Sequence, residues 1–186
     1  MSCMFCNCIN LQKIKFSSSF NTKNVTNMKG IFNNYEKLEE FNLSSFKTEE
    51  VTDMTNKFSG CKNLKSIDLS KFDISNVENI TAMFQSCENL GNLDLSSFKT
   101  EKVKNMSYMF YNCIKLEKIS FSFNTKNVTN IQKLFCGCEK LEEIKLSSFN
   151  TEEVTDKRFM IAGCKSLNSI DLSSFKINKE IISFRD

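Results

Sequence analysis

No histidine, proline or tryptophan occurs in these 186 residues, and glycine occurs only five times. Without histidine, a serine or cysteine nucleophile has no imidazole base. A zinc site would have to be built from thiolates and carboxylates. Without proline and with so few glycines, the turns fall to Ser, Asn and Asp, whose side chains bond nearby backbone. Without tryptophan, one of the residues most favoured at binding hot spots is missing. A Gly-rich phosphate loop is also missing. No apolar run approaches the ~20 residues that cross a bilayer. The 25 basic and 22 acidic residues leave a net charge of +3, too balanced for the concentrated basic face of a nucleic-acid binder. The opening Met1-Ser2-Cys3-Met4-Phe5 lacks the basic segment and long apolar stretch of a signal peptide.

What is present is a repeat of about 26 residues running through the whole chain. A full copy reads F-x-x-C-x-x-L-x-x-I-x-L-S-S-F-x-T-x-x-V-x-N-M-x-x-M. The F-x-x-C step falls at Phe5/Cys8, Phe58/Cys61, Phe84/Cys87, Phe110/Cys113 and Phe135/Cys138. It degrades to Phe32/Tyr35 and Ile161/Cys164 in the second and seventh copies. Such a period predicts stacked supersecondary units, hence one solenoid spanning residues 1–186 with its last copy incomplete.

Within the fourth copy, Leu93-Asp94-Leu95 alternates inward and outward, which predicts a short strand. The equivalent slots are Ile14/Phe16, Phe41/Leu43, Ile67/Leu69, Ile119/Phe121, Ile144/Leu146 and Ile170/Leu172. One strand per copy, always in the same sense, predicts a parallel sheet. A serine opens the turn after it, then come an inward Phe and, five residues on, a Val. Asn or Asp follows at 27, 53, 79, 105, 130 and 156. These are good helix N-caps, and Met106, Met109, Phe110 and Cys113 then take i, i+3, i+4, i+7 spacing. The expected class is therefore an α/β repeat solenoid. Its parallel sheet lies on the concave side and its short helices on the convex side, because helices pack more widely than strands.

Two copies depart in length. Phe16 to Phe20 is one residue longer than usual, and Phe121 to Phe123 one shorter. A second period overlies the first, since residues 20–72 return as 123–175 at an offset of 103. That is the mark of a duplicated block.

These residues resemble the leucine-rich repeats of the BspA-like surface-protein family, most closely the 26-residue variant of mycoplasma-type surface lipoproteins. The marks are L-D-L-S-S-F at 93–98, T-x-x-V-x-N-M at 100–106 and M-F-x-x-C at 109–113. The resemblance implies a non-catalytic recognition array at the cell surface or secreted, adhering to host or matrix components. A cytoplasmic scaffold and a structural spacer in a longer protein are the alternatives.

Most chemically suggestive residues have a packing explanation. Cys8, Cys61, Cys87, Cys113, Cys138 and Cys164 share one column and read as a buried ladder. Cys3-x-x-Cys6-x-Cys8 has zinc-like spacing, but Cys8 belongs to that column and no histidine is available. The paired acids Glu39-Glu40, Glu49-Glu50, Glu142-Glu143 and Glu152-Glu153 read as solvated surface. Neither a catalytic set, a metal nor a cofactor is expected. The candidate binding surface is the strip of outward strand positions: Lys15, Glu40, Asn42, Asp68, Asn92, Asp94, Lys118, Glu143, Lys145 and Asp171. The strip is polar, free of aromatics and alternating in charge. It suits a protein or matrix ligand held weakly at each copy and strengthened by multivalency.

Overall fold

The computed structural model describes residues 1–176 apart from Ser18. The seventh copy's Glu180, which stands where the other copies have Val, lies outside the described residues. Among the described residues there are four short strands: β1 (Asn92–Leu95), β2 (Lys118–Phe121), β3 (Glu143–Lys145) and β4 (Ser169–Asp171). They pair in parallel as β1–β2 and β3–β4, with Leu93 opposite Ile119 and Ile144 opposite Ile170. Both Ile14/Phe16 and the slots at 41/43 and 67/69 lie outside any strand, so seven continuous strands do not form. Their inward packing persists nonetheless, with Phe41, Leu43 and Leu69 buried. The break between β2 and β3 falls at the copy whose Phe121–Phe123 spacing is one residue short.

The helices expected on the opposite side do not exist among the described residues. A ribbon of consecutive β-turns takes their place. In the fourth copy, Met83, Gln85 and Cys87 donate their N–H groups back three residues, to Ile80, Ala82 and Phe84. The alternate N–H groups of Ile80, Ala82, Phe84 and Ser86 go to the next copy, to the carbonyls of Asn105, Ser107, Met109 and Tyr111 at 2.7–3.1 Å. Every fourth residue of the ribbon has positive φ: Gly30 and Asn34, Asn56 and Gly60, Ala82 and Ser86, Tyr108 and Asn112, Lys133 and Gly137, Phe159 and Gly163. An α-helix needs negative φ throughout, so these positions exclude one. The turns still bring i, i+3, i+4 and i+7 to one side, which is why Met106, Met109, Phe110 and Cys113 are all buried. Without helices there is no wider helix-to-helix spacing to make that side convex.

Gly60 shows why the ribbon is selective. At φ +74 it could carry a side chain only with strain, and a Cβ there would stand 2.1 Å from Asn34 Oδ1. The predicted N-caps become turn caps instead. Each accepts the N–H two residues on, as Asn105 Oδ1 does from Ser107 at 2.9 Å. Their backbones also bridge in parallel from Asn27 through Asp53, Asn79, Asn105 and Asn130 to Asp156.

The core is a set of columns. Phe5, Phe32, Phe58, Phe84, Phe110 and Phe135 stack with centroids 5.2–6.0 Å apart and nearly parallel planes. Beside them, the thiols of Cys61, Cys87, Cys113, Cys138 and Cys164 donate to the carbonyls of Phe32, Phe58, Phe84, Phe110 and Phe135 at 3.1–3.3 Å. The column is thus a hydrogen-bonded ladder, and a polar group there has a partner. Cys8, expected within it, is exposed, because no described copy lies against that side. Burial pushes Cys61, Cys113 and Cys164 up to about 12.

Two charged residues break the apolar pattern. Lys157, buried where other copies place Met28, Met54, Ile80, Met106 and Ile131, donates its Nζ to the Lys176 carbonyl at 3.1 Å. Lys57 has no such acceptor among the described residues. Lys57 is fully buried where other copies place Ile31, Met83, Met109 and Leu134. Its Nζ lies 5.2–5.7 Å from the ring centroids of Phe32, Phe46, Phe58 and Phe72 and 3.0 Å from Met28 Sδ. Burial lowers it to about 7 from an ordinary 10.5. Below its ordinary value the unfolded chain gains a proton that the folded chain refuses, so stability rises with pH from about 7 upward. The buried thiols act oppositely. Their pKa values are raised on folding, so their stabilisation is intact below the ordinary 9.0 and is lost as pH rises above it. Stability should therefore climb by about 1 kcal/mol from pH 7 to a maximum below pH 9, where the column thiols together begin to outweigh Lys57, and then fall. In Lys57→Met the climb should vanish, the alkaline fall should remain, and the protein should be more stable at pH 7. Urea melts of both proteins across this range check it.

Asn105→Ala should cost about 1 kcal/mol through the lost cap, while Asn105→Asp should be tolerated because Asp53 and Asp156 cap the same turn. Thermal melts of the two variants check this.

Candidate functional site

All ten residues of the candidate strip are exposed. Parallel pairing sets their spacing along the face, with Asn92 opposite Lys118, Asp94 opposite Ser120, and Lys145 opposite Asp171. Glu143 and Lys145, two apart on one side of β3, form an ion pair at 3.8 Å. The strip runs beside shallow grooves. One, about 820 Å³, takes in Lys13, Lys15, Lys37, Glu39, Glu40 and Asn42. A second, about 460 Å³, takes in Lys118, Glu143 and Lys145. A third, about 210 Å³, holds Asn42 and Asp68. Asn92, Asp94 and Asp171 stand outside these grooves.

The aspartates of the strip and Asn42 also close the turn that leaves the strand. Asp68, Asp94 and Asp171 accept the N–H groups of Ser70, Ser96 and Ser173 at 2.9 Å each, and Asn42 accepts that of Ser44 at 3.1 Å. The serine column therefore meets its cap through backbone N–H groups. Bonding to Ser70 and Ser96 holds the Asp68 and Asp94 carboxyls below the ordinary range, backbone first. At Asp171 the Ser173 side chain contributes most. Asp94 is consequently a structural as well as a surface residue, a link that its outward position in sequence did not disclose. Asn serves equally well, as Asn42 shows, and Ala cannot.

A threonine column, visible in the F-x-T step but given no role by spacing alone, locks the adjoining turns. Thr22, Thr48, Thr100, Thr125 and Thr151 are buried. Thr22 Oγ1 donates to the Lys47 carbonyl and accepts the Lys47 N–H, both at 2.7 Å. Thr125 does the same with Asn150. The third copy has Ile74 in this place.

Half-buried aromatic side chains lie on the turn ribbon and not on the strip. Tyr108 and Tyr111 meet edge to face at 5.7 Å, and Lys133 Nζ sits 5.4–5.8 Å from the rings of Tyr108, Tyr111 and Phe159. Among the described residues, no three Cys, Asp or Glu converge to hold a metal ion, and Cys3, Cys6 and Cys8 do not form such a set. No helix there is long and apolar enough to cross a membrane.

The family described as "Mycoplasma protein of unknown function, DUF285" matches residues 1–122 and 113–183. No curated protein matches the chain. Among solved structures, a leucine-rich repeat protein from Bacteroides ovatus is similar at 19% identity and a TM-score of 0.34. The likeness covers 91% of this chain and 57% of that one.

Asp94→Ala should lower the melting temperature, whereas Asp94→Asn should leave it unchanged. Scanning calorimetry of the pair separates the turn cap from the charge.

Proposed function

The chain belongs to the DUF285 family, and from that premise we propose that it is a non-catalytic binding array that engages a protein or matrix ligand through its strand-face strip. The observation that supports this reading is the repetition of exposed, mixed-charge side chains at the same outward positions of successive copies, beside open grooves. A ligand with its own repeated polar groups would meet several equivalent contacts, each weak, whose linkage multiplies the affinity. The resemblance to BspA-like surface proteins supports adhesion at the cell surface as the setting. A scaffold role in a reducing compartment is the second reading. It is favoured by nine free cysteines, of which Cys3 and Cys8 are exposed, since oxidising compartments normally pair such thiols.

The triple variant Asp68→Asn, Asp94→Asn, Asp171→Asn removes three charges and keeps the turn caps. Its melting point should match the parent. Its retention on immobilised extracellular-matrix proteins, measured by biolayer interferometry at physiological salt, should fall. A tandem dimer of the parent should bind the same surface far more tightly than the single chain. Retention unchanged by the triple variant would move the site off the strip.

A further inference from the structure

We infer that Cys3 and Cys6 form a reversible dithiol–disulfide pair on the outer face of the turn ribbon, open to thiol–disulfide exchange with small disulfides.

The two residues are the ends of one β-turn, closed by the Cys6 N–H donating to the Cys3 carbonyl at 3.1 Å. That turn recurs at Gly30–Asn33, Asn56–Ser59, Ala82–Gln85, Tyr108–Tyr111, Lys133–Cys136 and Phe159–Ala162, closed each time by the same hydrogen bond. The ends of a β-turn lie within 7 Å, Cα to Cα, and a disulfide spans about 4.4–6.8 Å. The fifth copy shows that side chains at these two positions meet, because the rings of Tyr108 and Tyr111 are in contact there. In the first copy the positions hold two thiols, neither belonging to the buried column. Cys3 is exposed and Cys6 half-buried. The first residue of the turn has positive φ in every copy, at 50° for Cys3, and the Cys3 N–H is tied to the Lys29 carbonyl at 2.8 Å. The pair is thus held by the same backbone that organises the stack.

The column cysteines serve as the contrast. Cys61, Cys87, Cys113 and Cys138 are buried, and each donates its thiol to a carbonyl and is raised by burial, so a reagent in solution does not reach them. Cys6 is held above its ordinary range, first by its hydrogen bond with Cys3. It is therefore the resolving thiol, and Cys3, the more open of the two, is the attacking one. The Cys3 thiolate attacks one sulfur of a small disulfide, forming a mixed disulfide and expelling one thiolate. The Cys6 sulfur then attacks Cys3 Sγ and expels the second. Two protons leave the protein and are taken up by the two released thiolates. The protein loses two electrons and the small disulfide gains them.

The experiment treats the full chain with glutathione disulfide under native conditions, followed by chymotryptic mapping. Cleavage after Phe5 separates Cys3 from Cys6 unless they are bridged, and it leaves Cys6 and Cys8 on one fragment. The expected result is a Cys3–Cys6 cross-link with loss of two hydrogen masses, no retained glutathione at either residue, and a glutathione adduct on exposed Cys8 as the reagent control. Cys3→Ser and Cys6→Ser should each lose the bridge and retain glutathione on the remaining thiol. Phenylarsine oxide, which bridges paired thiols with loss of water, should label the parent at Cys3 and Cys6 and spare these two positions in either variant. Stable glutathione on both Cys3 and Cys6 in the parent, a Cys6–Cys8 bridge, or no reaction at Cys3 while Cys8 is labelled would overturn the inference.

Discussion

Everything in this molecule depends on where the alternate N–H groups of the turn ribbon go. Half close turns within a copy. The other half cross to the next copy, as Phe58 does to Met83, Phe84 to Met109 and Phe110 to Leu134 at 2.9 Å. A helix would satisfy its donors internally and could slide or tilt against its neighbour. A ribbon cannot, because its donors stay unpaired unless the next copy sits in register. Four such bonds form at each complete interface, each contributing about 1 kcal/mol net. They make each copy's conformation conditional on its neighbours, which explains why one unit alone would not fold.

That register then aligns the side chains. Once the backbone repeats at a constant step, equivalent residues stack on themselves. The phenylalanine rings lie face to face, the cysteine thiols reach the carbonyl of the preceding Phe, and the threonines bracket the neighbouring turn. Surface pairs follow the same step, with Lys62 to Glu36, Lys65 to Glu39, Lys104 to Glu78 and Lys165 to Glu139. Exposed pairs of this kind add little individually, and here they report register more than they enforce it. Exceptions to a column are informative. Tyr35 occupies the cysteine column with its hydroxyl buried and unpaired, and Lys57 places an amine among phenylalanines. Both sit in the block around residues 20–72, whose returning copy has Cys138 where Tyr35 stands. The returning block has its own exception, since Lys157 is buried where Met54 stands.

Much of this was legible in the chain. The period follows from residue spacing, as do the inward columns apart from Cys8, and the strip positions are exposed as their alternation implies. The expected helix does not form among the described residues, and the reason is physical. Apolar spacing of i, i+3, i+4 and i+7 reports which residues face inward, and successive β-turns satisfy it as well as a helix does. The discriminating signal was the glycine and asparagine content of the supposed helices. Four of the five glycines, with Asn34, Asn56 and Asn112, occupy positive-φ positions. Such residues set four apart are poor helix formers and good left-handed ones. The double role of Asp68, Asp94 and Asp171 was hidden for a related reason: outward alternation fixes the face a side chain takes, not whether it bends back to its own backbone.

The molecule therefore presents two different surfaces on one hydrogen-bonded frame. The strand face is polar, mixed in charge and grooved. The ribbon face carries paired positions that hold tyrosines in one copy and thiols in another. The frame itself is tested most directly by NMR scalar couplings across hydrogen bonds. The account predicts a coupling between the Phe84 amide nitrogen and the Met109 carbonyl carbon, with matching couplings from Ala82 to Ser107 and from Phe110 to Leu134. A coupling from the Phe84 nitrogen to the Ile80 carbonyl, the partner a helix would supply, would contradict it.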